Sequence, residues 1–214
     1  MSAGRRHIVD FHGRPIIEWP LDILLKHPEV SEVFVSSDSR DILGVASRAG
    51  AKTIMRGSDL SGDFVSIAEV VRDFITGQDF GDSQVVMCTF ATNVWLSEKR
   101  ISEALEILEK KPDSMVLGLS KYQHPITRRL EKRKSGYQMV HNQNSEARTQ
   151  DEDVTYFDTG YLSMASKKTW MERTRIFDYP VEAIELGRAE SIDIDTESDL
   201  EFARQVFGAI HKTI

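Results

Sequence analysis

At 214 residues, with 40% apolar and 29% charged side chains, the chain suits a single α/β domain, 1–214, with room for a small appendage. A net charge of −7 argues against a general nucleic-acid binder, and no apolar run approaches the length of a membrane span. Its one cysteine, Cys88, excludes an internal disulfide and fits a reducing compartment. The opening MSAGRRHIVD lacks the apolar core of a signal peptide, so a cytoplasmic location is expected.

Up to Ser120 helices and strands alternate. RPIIEWPLDILLKH has helical spacing, with Pro20 near a first turn, and EVFVSS is a short β-branched strand followed by Asp38 as the expected N-cap. RDILGVASRAG reads as a helix closed by Gly50, and AKTIM as the next strand. Ser66 caps the helix IAEVVRDFI, which Gly77 ends. QVVMCTF is continuously apolar, as in a strand buried on both faces of a parallel sheet, and places Cys88 as a structural thiol. Ser97 precedes the helix EKRISEALEILEKK, and SMVLGLS is a further strand. This alternation predicts an α/β fold built on a doubly wound, mostly parallel, Rossmann-like sheet.

The rhythm breaks over 121–155, a polar stretch rich in Arg, Lys, Gln and Asn. An insertion of that length in a compact domain is expected to be functional or to make an oligomer contact. Its RRLEKRK run reads as a solvated hairpin, because a DNA-binding module is disfavoured by the acidic net charge and the lack of a recognition helix. VTYFDTGYLSM returns as a strand, KKTWMER is a short helix and VEAIEL a strand. The last helix, TESDLEFARQVFGAI, opens with Thr196 and Asp199 in a capping-box pattern.

In open α/β sheets ligands bind beyond the carboxyl ends of the strands. Ser37, Asp38, Arg56, Thr89 to Asn93 and Ser120 to Arg128 all fall at such ends. The stretch SIDIDTESDL is more specific. In extended chain Asp193 and Asp195 project together while Ile192 and Ile194 pack on the other side, and adjacent carboxylates repel unless a cation lies between them. The residues alone leave four readings open. They are a simple helix cap, a phosphatase nucleophile motif with its threonine one place early, a glycosyltransferase D-x-D clamp, and a Mg²⁺ site for a nucleoside triphosphate.

From about Arg5 onward the chain resembles the acylneuraminate cytidylyltransferases, which join CTP to a nine-carbon sugar acid and release pyrophosphate. The resemblance lies in DFHGRPIIEW, VSEVFVSSDSRDILGVASRAGA, RGSDLSGDFVSIAEVV and SIDIDTESDL, in that order. FATN, HPITRRL and ARTQDEDVTYFDTG look most like the branch that activates pseudaminic acid. The resemblance implies that Asp193 and Asp195 hold Mg²⁺ against the nucleotide phosphates and so are the catalytic pair. It implies nucleotide contacts for Arg56 and Ser66, and phosphate-facing charge from Arg5 and Arg6. Arg148 would pair with the sugar carboxylate, with Gln150, Asp151, Tyr156 and Asp158 beside it, and Thr92, Asn93 and Arg128 would line the sugar pocket. A homodimer, with the insertion exchanged between subunits, is also implied. Such proteins open with an apolar strand and a Gly-rich basic loop, for which this sequence shows no counterpart before Arg5-Arg6-His7. Two expectations follow: a working enzyme in truncated form, or a homologue that keeps the fold and dimer interface, no longer transfers nucleotide and acts as a binding or structural partner.

Overall fold

The computed structural model describes residues 3–62, 64–140, 153–178 and 180–211. A 3₁₀ turn, Ala3–Ile8, leads into a small hairpin of β1 (Asp10–Phe11) and β2 (Arg14–Pro15). The alternation then runs α1 (Glu18–Lys26), β3 (Phe34–Ser37), α2 (Arg40–Ala49), β4 (Lys52–Met55), α3 (Ile67–Thr76), β5 (Val85–Cys88), α4 (Glu98–Lys110) and β6 (Met115–Lys121). After it come β7 (Leu130–Arg133), β8 (Gly136–Met139), β9 (Tyr156–Ser166), α5 (Lys167–Glu172), β10 (Val181–Leu186) and α6 (Glu197–His211).

Local signals account for most boundaries. Pro20 sits in the first turn of α1, where its missing N–H breaks no helical bond. Gly50 closes α2 in the left-handed conformation, φ 104°, which a side chain would resist. Ser66 and Glu69 form a complete capping box on α3, and Thr196 and Asp199 do the same at the start of α6. The N-cap of α2 is Ser39 rather than Asp38, one residue later than the spacing predicts.

Helices cover both faces of a four-stranded sheet ordered β10-β6-β9-β5. Ile101, Ala104 and Leu108 of α4 and Leu200, Ala203 and Phe207 of α6 pack on one face, against Val116, Met164 and Ile184. Ala68, Val71 and Ile75 of α3 pack on the other, with Trp170 of α5, against Val86, Met115 and Leu117. Successive residues of β6 thus serve opposite cores, as the pleat requires.

The sheet itself departs from the mostly parallel arrangement. β10 and β6 are parallel, but β9 lies antiparallel to both β6 and β5. β3 and β4 form a separate parallel pair with no ladder bond to the larger sheet among the described residues. The apolar QVVMCTF run is covered on both faces, as expected, yet its strand pairs antiparallel. Strand direction leaves no local trace, so an apolar run fixes burial but not polarity. The basic insertion begins as an exposed hairpin of β7 and β8, with Leu130 and Tyr137 turned to solvent. Among the described residues no helix is long and apolar enough to cross a membrane.

Candidate functional site

The carboxyl ends of β4, β5, β6 and β10 and the start of β9 carry many of the residues singled out in the sequence, while Arg6 lies in the N-terminal 3₁₀ turn and Ser66 caps α3. After β10, Ile194 is buried at 2% exposure and Ile192 packs beside it, while Asp193 and Asp195 face solvent. The alternation expected of extended chain therefore holds, although no ladder includes this segment. Partial burial raises the Asp193 carboxyl above the ordinary range, with the neighbouring charge of Asp195 acting the same way. Its Oδ1 accepts the Ile194 N–H at 2.8 Å.

Asp195 already has a cation. Arg6 Nη1 donates to its Oδ1 at 2.6 Å, across 189 residues of sequence, and the Arg6 Nε is buried without a hydrogen-bond partner. Beside it His7 is held below its usual pKa, first by burial and then by the charges of Arg6 and Arg56, with Asp38 opposing. Arg6, His7, Asp38 and Arg56 therefore share one electrostatic neighbourhood next to the aspartate pair. Arg56 is half-buried at the end of β4; its N–H donates to the Ser37 carbonyl and its Nε reaches Ser61 Oγ at 3.4 Å. The Arg5 side chain lies outside the described residues, as do Arg148, Gln150 and Asp151.

The second group surrounds a bulge between β6 and β9. The register shifts between Leu117, opposite Ser163, and Leu119, opposite Asp158. Gly118 and Gly160 make the bulge possible. A Cβ on Gly118 would lie 2.7 Å from that of Tyr161, and one on Gly160 (φ 67°) 2.7 Å from the Phe90 ring. The bulge turns Tyr161 inward, where its hydroxyl donates to the Trp95 carbonyl and accepts the Ser97 N–H, while burial pushes its pKa up to about 12. The Tyr161 carbonyl in turn accepts from Thr89 Oγ1 and Asn93 Nδ2. Asp158 caps the Gly160 N–H, and Tyr156 donates to Glu185 at the end of β10. Tyr122, His124, Pro125, Ile126, Arg128 and Arg129 line an open groove of about 620 Å³ beside them.

Several anticipated ligand contacts are thus engaged within the protein. Ser66 Oγ accepts the Glu69 N–H and donates to Glu69 Oε2. Asn93 is buried, and its amide nitrogen serves Thr89 and Tyr161. Thr92 is half-buried, while Arg128, Tyr156 and both aspartates are exposed. Cys88 behaves as the structural thiol expected, since burial raises its pKa to about 11.

One arrangement had no sequence signal. Arg100 Nε and Nη2 donate to the two carboxylate oxygens of Glu190 at 2.8 and 2.7 Å, and Nη1 donates to Glu103. The partners stand 90 residues apart, with nothing in their local patterns to join them. The hydrogen bonds from Arg100 hold the Glu190 carboxyl below its usual range.

A family model described as Cytidylyltransferase matches residues 6–212. A pseudaminic acid cytidylyltransferase of Campylobacter jejuni is 30% identical over 215 residues, covering 98% of this chain and 92% of that one. An N-acylneuraminate cytidylyltransferase of Streptococcus agalactiae is 24% identical over 191 residues, or 87% of this chain and 46% of that one. A solved CMP:2-keto-3-deoxy-manno-octonic acid synthetase complexed with CTP superposes with a TM-score of 0.67 at 12% identity, covering 96% and 92% of the two chains. A 4-diphosphocytidyl-2C-methyl-D-erythritol synthase of Anaerococcus prevotii gives 0.66 at 16%, covering 97% and 92%. At those identities the structural likeness concerns the fold alone. The chain belongs to the cytidylyltransferase family, as a nucleotidyltransferase of the acylneuraminate and pseudaminic acid cytidylyltransferase type.

Proposed function

We propose that the protein transfers the cytidylyl group of CTP to a nine-carbon sugar acid of the pseudaminic or sialic type. A sugar hydroxyl oxygen forms a bond to the α-phosphorus, the bond from that phosphorus to the bridging oxygen breaks, pyrophosphate leaves and the hydroxyl proton passes to water. The reading rests on the carboxylate pair Asp193 and Asp195, exposed at the carboxyl end of the sheet beside the guanidinium of Arg6. Its sugar-acid part rests on the 30% identity to a pseudaminic acid cytidylyltransferase.

The donor set suits Mg²⁺, which takes one or two carboxylates and fills its remaining positions with phosphate oxygens and water. Among the described residues no group of three or more His, Cys, Asp or Glu side chains is placed to hold a metal, so the proposal rests on the two carboxylates. Bound with nucleotide, the ion would supply charge neutralisation at the departing pyrophosphate. Arg6, Arg5 and Arg56 would bring further positive charge to the phosphates. Arg128, Tyr156 and Asp158, around the groove beyond β6, would meet the sugar. Arg148 is assigned the sugar carboxylate on the sequence resemblance, which suits a bidentate guanidinium. The exposed Leu130 and Tyr137 of the insertion support its role as a contact in a homodimer.

The test is pyrophosphate release from CTP with pseudaminic, legionaminic and N-acetylneuraminic acids in turn, with and without Mg²⁺. Mg²⁺-dependent release with one of them, lost in Asp195→Asn, is the expected outcome. Binding of CTP with no release for any sugar acid would favour the second reading, a homologue that binds without transferring. The closed Arg6–Asp195 pair is the observation on that side.

A further inference from the structure

The aspartate pair stands in a segment without a ladder, so something other than a sheet must hold it in place. Downstream, Ile194 is buried and the Thr196–Asp199 capping box starts α6 at once. Upstream the chain leaves β10 at Leu186 and turns over residues 187–191. Glu190 Oε2 accepts the Gly187 N–H at 2.9 Å, Ser191 N–H donates back to the Gly187 carbonyl, and Ser191 Oγ donates to the carbonyl of Arg188. These bonds shape the turn but are all internal to it. Besides the packing of Ile192 on the core, the turn is tied to the rest of the protein by the two-pronged Arg100–Glu190 pair, in which the Arg100 side chain is only 16% exposed.

Arg100 itself is well anchored. It lies in the first turn of α4, just after Ser97, whose N–H donates to the Tyr161 hydroxyl. The Tyr161 carbonyl holds Thr89 and Asn93. One chain of hydrogen bonds and α4 backbone therefore links the 89–93 loop, through Tyr161 and Arg100, to the turn three residues before Asp193. A planar guanidinium with two parallel donors fixes both distance and orientation of its carboxylate, which a lysine does not.

We propose that Arg100 and Glu190 are a positioning pair that sets where Asp193 and Asp195 present their carboxylates, and ties that placement to the 89–93 loop. The proposal rests on the reading of these aspartates as cation ligands. Neither Arg100 nor Glu190 touches the cation. They act on it through the backbone of residues 190–193, as residues supporting a metal ligand do when their removal lowers affinity.

The experiment measures Mn²⁺ affinity by water-proton relaxation, on full-length protein saturated with CTP and without sugar acid, so that turnover plays no part. Wild type and Asp195→Asn calibrate it. Arg100→Gln and Glu190→Gln, both checked for native near-ultraviolet circular dichroism, are expected to weaken Mn²⁺ binding about tenfold, at the lower end of the range for residues supporting a metal ligand. The double variant should be no weaker than the worse single one, because the pair acts as a unit. Arg100→Lys keeps the charge but not the fork, and should retain the fold with an intermediate loss of affinity. If the glutamine variants do not fold, Arg100→Lys alone decides the matter.

Folded variants that bind Mn²⁺ like wild type, while Asp195→Asn does not, would overturn the positioning role and leave the cation reading standing. Equal Mn²⁺ binding by wild type and Asp195→Asn, or none by either, would overturn both. A purely structural role would lower the melting temperature of the variants without moving the affinity of the folded protein.

Discussion

On the proposed reading of Asp193 and Asp195 as cation ligands, removing the Arg6 guanidinium should strengthen cation binding there and weaken nucleotide binding. Arg6 Nη1 lies 2.6 Å from Asp195 Oδ1, so a divalent ion bound there would displace it or share the carboxylate with it. Two unit charges about 4 Å apart interact by about 1 kcal/mol in water and about 4 kcal/mol near a protein surface. Asp195 is 67% exposed and Arg6 27%. The pair therefore belongs near the lower figure, in line with the 0.2–1 kcal/mol found for roughly exposed ion pairs. Arg6→Gln should tighten Mn²⁺ binding in the absence of nucleotide by up to about fivefold, since about 1 kcal/mol is that factor at room temperature. The same variant should bind CTP more weakly, having lost a cation from the phosphate side, and that loss should shrink in high salt. Calorimetry of both ligands on the same preparations reads the two signs together. Weaker Mn²⁺ binding in Arg6→Gln would mean that Arg6 supports the carboxylate rather than competing for it, and the reasoning would fall.

Other predictions use contacts already described. Ser66→Ala removes the α3 cap and should cost about 1 kcal/mol of stability by thermal or urea unfolding; a large rise in KM for CTP at unchanged stability would instead assign Ser66 to the nucleotide. Gly160→Ala forces a side chain into φ 67° and against the Phe90 ring, so a loss of about 1–3 kcal/mol is expected, and a neutral result would mean the bulge relaxes. The two-stranded β3–β4 sheet should exchange its amide hydrogens well before β6, which β10 and β9 flank, and equal protection would show that the smaller sheet is not the weaker unit. The depressed Glu190 carboxyl implies stabilisation that is fully present above the ordinary carboxylate pKa and disappears as pH falls through the lower folded-state value. The stability gap between wild type and Glu190→Gln should close over that acidic range; a gap unchanged down to the lowest pH at which both fold would refute it.

What the sequence made legible depends on range. Signals acting within four residues, such as the Ser66 cap, the Thr196–Asp199 box, the glycine stop at Gly50 and the alternation around Asp193, appear in the structure where the spacing puts them, apart from the one-residue shift from Asp38 to Ser39. Strand partnership was another matter. VTYFDTGYLSM reads as a strand from its composition, but only the assembled sheet decides that it runs antiparallel between β5 and β6. The Arg100–Glu190 pair and the Arg6–Asp195 pair join positions 90 and 189 residues apart, and a charged residue leaves no local mark of its partner.

Residue type misleads at the site for a related reason. Serine, threonine and asparagine suit ligand binding because they carry short polar groups, and the same property suits them to caps and turns. Ser66, Asn93 and Thr89 satisfy neighbouring backbone or side-chain groups here, so a helix cap and a strand-end network account for them without a ligand. The carboxylates differ. Asp199 and Asp158 each accept from a nearby backbone N–H, and Asp193 accepts one as well, but its burial and the adjacent Asp195 still raise its pKa. A single guanidinium on Asp195 leaves Asp193 without an opposite charge within ion-pair distance among the described residues. That residual repulsion distinguishes SIDIDTESDL from an ordinary helix start, and it is what a divalent cation arriving with a triphosphate would remove.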